Sequence, residues 1–516
     1  MLRFSVVPLL AIACAGGAGS VPAATGPEDA VRAARAHRER QGATILRDFA
    51  AMLALPNTPD EPEGLVRNAE ALAERFAARG VATEVWTQDG APPVVYGRID
   101  VPAARRTIGI YAHYDGQPVD PARWAHPPFE PTLYTGPREA GGTRRALPAP
   151  GEAIDPEWRI YARSAGDDKA PFAALLAALD ALGAAGLEPT SNVVFLFDGE
   201  EERGSPHLAT YLARHRERLR VDAWLFADGP VHTSRRPQLV FGVRGVTGLE
   251  LTVYGPLRAL HSGHYGNWAP NPALRLAQLV ASMVDGQGRV LIAGFYDTTR
   301  PPTPEERAMI ARLPDDDAAL REELGLAATE GQGAPRAERL LLPALNVRGL
   351  EAGGVGAQAT NAIPAQATAS IDLRLVPGND PAAMLDLVER HVRAQGYHVI
   401  DHEPDRATRL AHPRLARIER EGGYPAVRTS PAAPVVREII AAAEAAAGPE
   451  PLALVPSLGG SLPLQLFLNT PDRPIVIVPL ANHDDNQHAA DENLRLANLW
   501  YGIDLFAALL HMSVAP

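Results

Sequence analysis

The sequence predicts an α/β protein, with a mostly parallel sheet flanked by helices and a separate α+β unit inserted into it. Three observations carry that prediction. Short apolar runs alternate with helical stretches as far as about residue 236. From Leu239 onward the texture changes to strands in which polar and apolar residues alternate, as in Leu239 to Tyr254 and Ala367 to Leu375. A buried-type run then returns at Pro474-Ile475-Val476-Ile477-Val478-Pro479, so the C-terminal residues complete the first unit.

In chain order, Arg3 precedes an apolar stretch from Phe4 to Ala13, and small residues follow as far as Ala24. Residues 1–24 therefore read as a cleaved secretory signal, with Val21-Pro22-Ala23 as the cleavage site and a periplasmic or secreted product. Leu10-Ala11-Ile12-Ala13-Cys14 resembles a bacterial lipoprotein box, with Ala11 where leucine is usual, so a lipid anchor at Cys14 stands as the alternative to plain export. Cys14 is the only cysteine, which leaves the rest of the chain without disulfides. No later stretch reaches the roughly 18 to 20 apolar residues a membrane-crossing helix needs.

Helical stretches are expected at Pro27 to Leu55 and Glu61 to Arg79, the second stopping at Gly80. Val81 to Ile99 reads as two strands joined at Asp89-Gly90, and Thr107 to Tyr111 as a buried strand. Thr135 to Gly151, rich in Gly, Pro and Arg, reads as a surface loop, and Pro171 to Gly183 as a helix ending at its glycine. Asn192 to Phe197 and Ala223 to Phe226 are further buried strands. Pro272 to Val284 and Pro434 to Ala447 read as helices, and Thr299 to Arg339, rich in proline and charge, as a surface insertion. The expected division is 1–24 signal, 25–236 first part of the α/β domain, 237–410 inserted domain, and 411–516 second part.

At 516 residues and 46% hydrophobic content the chain can bury more than one core. Its 49 basic and 61 acidic residues give a net charge of −12, and no long basic cluster occurs, which argues against a nucleic-acid partner.

The chemistry gathers where apolar runs break off. Open α/β sheets bind ligands beyond the carboxyl ends of their strands, so His113, Asp115, Asp167, Glu201, Glu202, Asp228 and His488 can converge on one crevice. His113 and Asp115 stand two apart and point the same way at a strand end, which lets the carboxylate orient a metal-binding imidazole. Asp167-Asp168 precedes a helix. A helix cap needs one aspartate, whereas two adjacent carboxylates need nearby cations; Lys169 supplies part and a metal pair the rest, with Asp167 as the shared ligand. Glu200-Glu201-Glu202 follows an apolar strand, and two neighbouring glutamates can divide the work, one on metal and one towards substrate. His483 and His488 both follow the last apolar strand as candidate ligands. One imidazole, one carboxylate and a shared aspartate per ion suit zinc better than calcium or magnesium.

Together His113-Tyr114-Asp115, Arg163-Ser164-Ala165-Gly166-Asp167-Asp168-Lys169, Glu201-Glu202-Arg203-Gly204-Ser205, Asp228 and His488 resemble the dizinc metallopeptidases that include carnosinase, carboxypeptidase G, the aminoacylases and succinyl-diaminopimelate desuccinylase. The resemblance is nearest to the carnosinase-like dipeptidases. It implies a zinc-peptidase-type catalytic domain with a lid that also dimerises. His113, Asp167 and Asp228 would hold one of two zinc ions (manganese or cobalt as alternatives), and Asp167, Glu202 and His488 the other, with Glu201 as general base and Asp115 in support. His261, in His261-Ser262-Gly263-His264-Tyr265-Gly266, would reach the active site of the partner subunit in a homodimer. Arg374 and Asn361 would bind substrate, and Gly460 and Ser461 belong to the loop that holds its carboxylate. The glycines usual around the aspartate pair are replaced by Ala162, Ser164 and Ala170.

The implied function is zinc-dependent hydrolysis of dipeptides, or of short peptides at their C-terminal end. Hydrolysis of N-acyl amino acids is the alternative. A non-catalytic scaffold predicts gaps among the ligands, and none occurs. A serine hydrolase is set aside because Gly460-Ser461 lacks the final glycine of G-x-S-x-G.

Overall fold

The computed structural model describes residues 26–449, 451–460, 462–469 and 473–513. The residues expected to form a signal, 1–24 with Cys14, lie outside them, as does Ser461.

Eight strands form one mixed sheet, in the order Ala82–Gln88, Ala91–Ile99, Asn192–Asp198, Thr107–His113, Ala223–Phe226, Ile475–Ile477, Gln238–Val240, Ala453–Val455. Its centre is parallel: Thr107–His113 runs parallel to Asn192–Asp198 and Ala223–Phe226, and Ile475–Ile477 parallel to Ala223–Phe226. Register aligns the carboxyl ends of these strands. Tyr111 lies opposite Leu196 and Phe226, and Ile477 opposite Phe226, so four loops leave the sheet at one edge. Those loops carry His113-Asp115, Glu201-Glu202, Asp228 and His488. The expected parallel sheet gains an antiparallel rim, because the hairpin through Gly90 returns Ala91–Ile99 against both Ala82–Gln88 and Asn192–Asp198.

Helix Ala170–Ala185 is apolar nearly all round and sits within the core, packed by Pro27–Leu53 and Leu496–Leu510. It runs past Gly183, where a stop was expected. Gly186 instead takes the left-handed conformation (φ 67°) that closes the last turn.

The α+β unit has a five-stranded sheet ordered Ala344–Glu351, Gln366–Leu375, Gly245–Tyr254, Leu415–Arg420, His398–Ile400. Helices Pro272–Ala281 and Pro381–Ala394 cover it, and Leu249, Leu251, Ile371, Leu373 and Val388 form its own core. The chain crosses between the two sheets on an antiparallel ribbon, Gly242–Val243 against Val427–Arg428. Gly242 permits this close approach, since a methyl group there would overlap the Val427 carbonyl. The expected span of 237–410 therefore shifts: Gln238–Val240 pairs within the large sheet, and Leu415–Arg420 within the small one. Of the Thr299–Arg339 insertion, Asp317–Glu323 is exposed as expected. Helix Pro304–Ile310 is anchored, with Met309 in the main core and Glu306 buried against Arg428 at 3.3 Å.

Candidate metal centre

The strand Thr107–His113 delivers His113 to the sheet edge, and Asp115 follows it into the interior. His113 Nδ1 is 3.3 Å from Asp115 Oδ1, while its Nε2 is 2.9 Å from Asp167 Oδ1 and 3.9 Å from Asp228 Oδ2. Asp115 does more than orient this ring. Its two carboxylate oxygens accept the backbone N–H groups of Glu201 and Glu202, each at 3.1 Å, so one carboxylate fixes both the imidazole and the turn that carries the glutamates.

Asp167 faces two ways. Its Oδ2 is 3.0 Å from His488 Nε2, which in turn is 3.3 Å from Glu202 Oε2. Two groups of metal-ligating atoms result, His113–Asp167–Asp228 and Asp167–Glu202–His488. Within each, the ligand atoms lie within 4.8 Å of one another, and Asp167 belongs to both. Of the two candidate histidines, His488 enters the group, while His483 faces Asp484 at 3.9 Å.

The electrostatics match a site built for cations. Burial pushes the Asp228 carboxyl up to about 7, with the neighbouring Asp167 and Glu202 charges adding to the rise. Burial likewise raises Glu201 and Asp168. Hydrogen bonds to Asp167 and Glu202 carry His488 up to about 10. Burial pulls the His113 imidazole down, but Asp115 and Asp167 outweigh it and hold it well above its usual value. Carboxyls crowded into one buried pocket and driven towards the neutral form lack positive charge. Divalent cations held by these imidazoles and carboxylates would supply it, so this donor set fits the implied metals.

Lys169 does not supply it, contrary to the sequence expectation. Its Nζ donates to the Met52 and Leu55 carbonyls at 2.9 and 2.8 Å, capping the end of helix Pro27–Leu53. Burial lowers its pKa to about 7. Glu492, not singled out in the sequence, steadies the aspartate loop instead. Its Oε1 accepts the Gly166 and Asp167 N–H groups, both at 2.9 Å, and its Oε2 accepts the Ser164 N–H at 3.0 Å and Arg163 Nη1 at 2.6 Å. An acidic residue four positions after His488 was the available signal.

The remaining site residues lie on the α+β unit and its surroundings. His261 is exposed on a two-residue pairing with Ala362, next to Asn361, whose carbonyl accepts the Ser262 N–H at 2.8 Å. The nearest ring to His261 is His264, with centroids 4.6 Å apart. Arg374 Nε donates to Asp372 Oδ2 at 2.8 Å, and the charge of Arg374 lies close to buried Arg244, which burial lowers to about 10. Gly460 is exposed next to Gly459, where an added Cβ would meet the Leu340 side chain. The structure thus gathers the five candidate ligands with Asp115 and Glu201. His261, Asn361 and Arg374 stand in separate surroundings on the inserted unit.

A model of peptidase family M20/M25/M40 matches residues 109–512. The chain is 28% identical over 436 residues to the Cys-Gly metallodipeptidase DUG1 of Candida albicans, covering 81% of each. It is 25% identical over 457 residues to the human Beta-Ala-His dipeptidase, covering 84% of this chain and 82% of the relative. Among solved structures it resembles the M20 family metallo-carboxypeptidase Sso-CP2 from Sulfolobus solfataricus, with a TM-score of 0.71, 31% identity, and coverage of 91% of this chain and 98% of that one. The expectation of export and of a lipid anchor at Cys14 is corrected by these relatives, because the DUG1 dipeptidases are cytosolic enzymes. Among the described residues no helix is long and apolar enough to cross a membrane. With the family model spanning every candidate ligand from His113 to His488, the chain belongs to peptidase family M20/M25/M40.

Proposed function

We propose that this enzyme is a metallodipeptidase that hydrolyses the peptide bond of dipeptides at a two-cation centre. The observation that carries the reading is Asp167 shared between two ligand groups, with Glu201 on the adjoining turn. His113, Asp167 and Asp228 would hold one cation and Asp167, Glu202 and His488 the other. The imidazole and carboxylate donors favour zinc, with manganese or cobalt as substitutes.

Bound there, the cations would acidify a water molecule and polarise the scissile carbonyl. Glu201 accepts the proton of the attacking water and returns it to the leaving amine, as a buried carboxyl with a raised affinity for protons can do. Asp115 keeps Glu201 and Glu202 in place through their backbone N–H groups. Arg374, Asn361 and the loop at Gly460-Ser461 would anchor the free carboxylate of the substrate. His261 would stabilise the oxyanion from a second copy, so the active form is a homodimer joined through the five-stranded unit. His261 is exposed and belongs to neither ligand group of its own chain, which supports that arrangement. The 245–420 unit would then act as lid and dimerisation domain, and the flanking segments as the catalytic domain.

Relatives named for Cys-Gly and beta-Ala-His cleavage favour a dipeptide over an N-acyl amino acid. The test is a dipeptide panel with N-acetyl amino acids alongside, with and without chelator. Chelator-sensitive dipeptide cleavage is expected. Preferential cleavage of the acetylated compounds would overturn the substrate assignment.

A further inference from the structure

Two glutamines stand against the carboxylate oxygens on the His488 side of the centre, while the Asp167 oxygen that faces His113 is the other one. Gln117 Nε2 donates to Glu202 Oε2 at 2.8 Å, and Gln487 Nε2 donates to Asp167 Oδ2 at 2.8 Å. These are the same two oxygens that face His488 Nε2. Both carboxylates of the His488 group therefore carry an amide donor. The His113 group is held differently: Asp115 backs the imidazole, and the Gly229 backbone serves the Asp228 carboxylate.

The loop geometry behind Gln487 is unusual. Neighbouring side chains normally diverge, yet Gln487 and His488 both reach Asp167. Asn486 and His488 adopt left-handed backbone (φ 59° and 62°), and the Gln487 N–H donates to Asp485 Oδ1 at 2.9 Å, which turns both side chains to the same carboxylate. A neutral amide suits this place. It fixes the carboxylate rotamer while leaving the second lone pair for a cation, and it adds no positive charge to repel one. The His113 and Asp228 side chains are 1% and 4% exposed and held by packing, whereas His488 is 52% exposed, so a cation on that side depends on Glu202 and Asp167, the 4% and 5% exposed carboxylates that the two amides fix.

We propose that Gln117 and Gln487 are positioning residues for the cation on the His488 side. They hold Glu202 and Asp167 and set that ion's affinity, and they do not touch the substrate. The inference rests on the two-cation reading of the site.

The experiment is a zinc titration of the full chain against a chromophoric competing chelator. It compares the parent with Gln117→Leu, Gln487→Leu and the double variant, and thermal melting of each confirms folding. In the parent, two ions test the two-cation reading by itself. In the double variant, one of the two affinities is expected to fall by about 10- to 100-fold while the other holds, as loss of a partner behind a metal ligand generally produces. Turnover lost at limiting zinc should return as zinc is raised, with kcat recovering and KM for the dipeptide unmoved. Parent-like affinities in a folded double variant, or equal loss at both sites, would overturn the proposal. So would a kcat that stays low with both ions bound, which would place the amides in contact with the reacting groups.

Discussion

Replacing Glu492 with glutamine should loosen the aspartate loop and the metal centre together. Glu492 is fully buried, and each of its oxygens serves two donors, Gly166 and Asp167 at Oε1, Ser164 and Arg163 at Oε2. An amide can be turned either way, but its NH2 must then face one of those donor pairs. At least two hydrogen bonds are lost, and the Arg163 guanidinium loses its buried counter-charge. Hydrogen bonds to a charged group contribute about 1.5–3 kcal/mol each, and breaking one partner of a buried pair costs about 3–5 kcal/mol. We expect a loss of about 3–5 kcal/mol, read as a clear fall in Tm of the metal-free protein. The second consequence comes from position: the amide oxygen goes to the charged Arg163 and the NH2 to Gly166 and Asp167, so the Asp167 N–H loses its acceptor and zinc affinity should drop by about 10-fold or more. Differential scanning calorimetry and a competitive zinc titration measure the two effects. A Glu492→Gln protein with parental Tm and parental affinities would refute the reasoning.

Lys169→Leu should destabilise the fold by about 2 kcal/mol: two carbonyls at the end of helix Pro27–Leu53 lose their donor, partly offset by removal of a buried amine. Calorimetry checks this, and an unchanged Tm would deny Lys169 its capping role. Gly242→Ala should disturb the crossing ribbon, because the added methyl meets the Val427 backbone carbonyl; the expected cost is about 1–3 kcal/mol, with faster proteolysis between the two sheets. Chelation of the parent should lower its Tm, since ions bound at about 1,000 times their Kd stabilise by about 4 kcal/mol; a Tm indifferent to chelator and zinc would contradict a folded-state metal centre.

The strand ends are legible because an apolar run that stops at a charged residue has one physical reading at a sheet edge. His113, Glu202, Asp228 and His488 are reached that way and Asp167 through the unusual pair of aspartates before a helix, with the family resemblance assigning their groups as candidate ligands. Direction is not legible: a run such as Val94 to Ile99 looks alike in parallel or antiparallel pairing, so the antiparallel rim emerges only in the folded chain. The domain boundary slips because the crossing ribbon is only two residues long on each side and interrupts no hydrophobic pattern. Adjacency in sequence suggests Lys169 as a counter-ion for Asp167, whereas its long side chain reaches a helix end more than a hundred positions earlier. Glu492, Gln117 and Gln487 carry no periodic signature; a supporting residue is defined by what it touches, and only the folded chain shows that.

The most direct test of the account is dipeptide turnover by Glu201→Gln protein whose metal content is measured in the same sample. Two ions bound per chain with nearly all turnover lost is the predicted result, since in the proposed mechanism Glu201 carries the proton while His113, Asp167, Glu202, Asp228 and His488 hold the metals. Parental turnover with both ions in place would contradict it, and would remove Glu201 from the reaction.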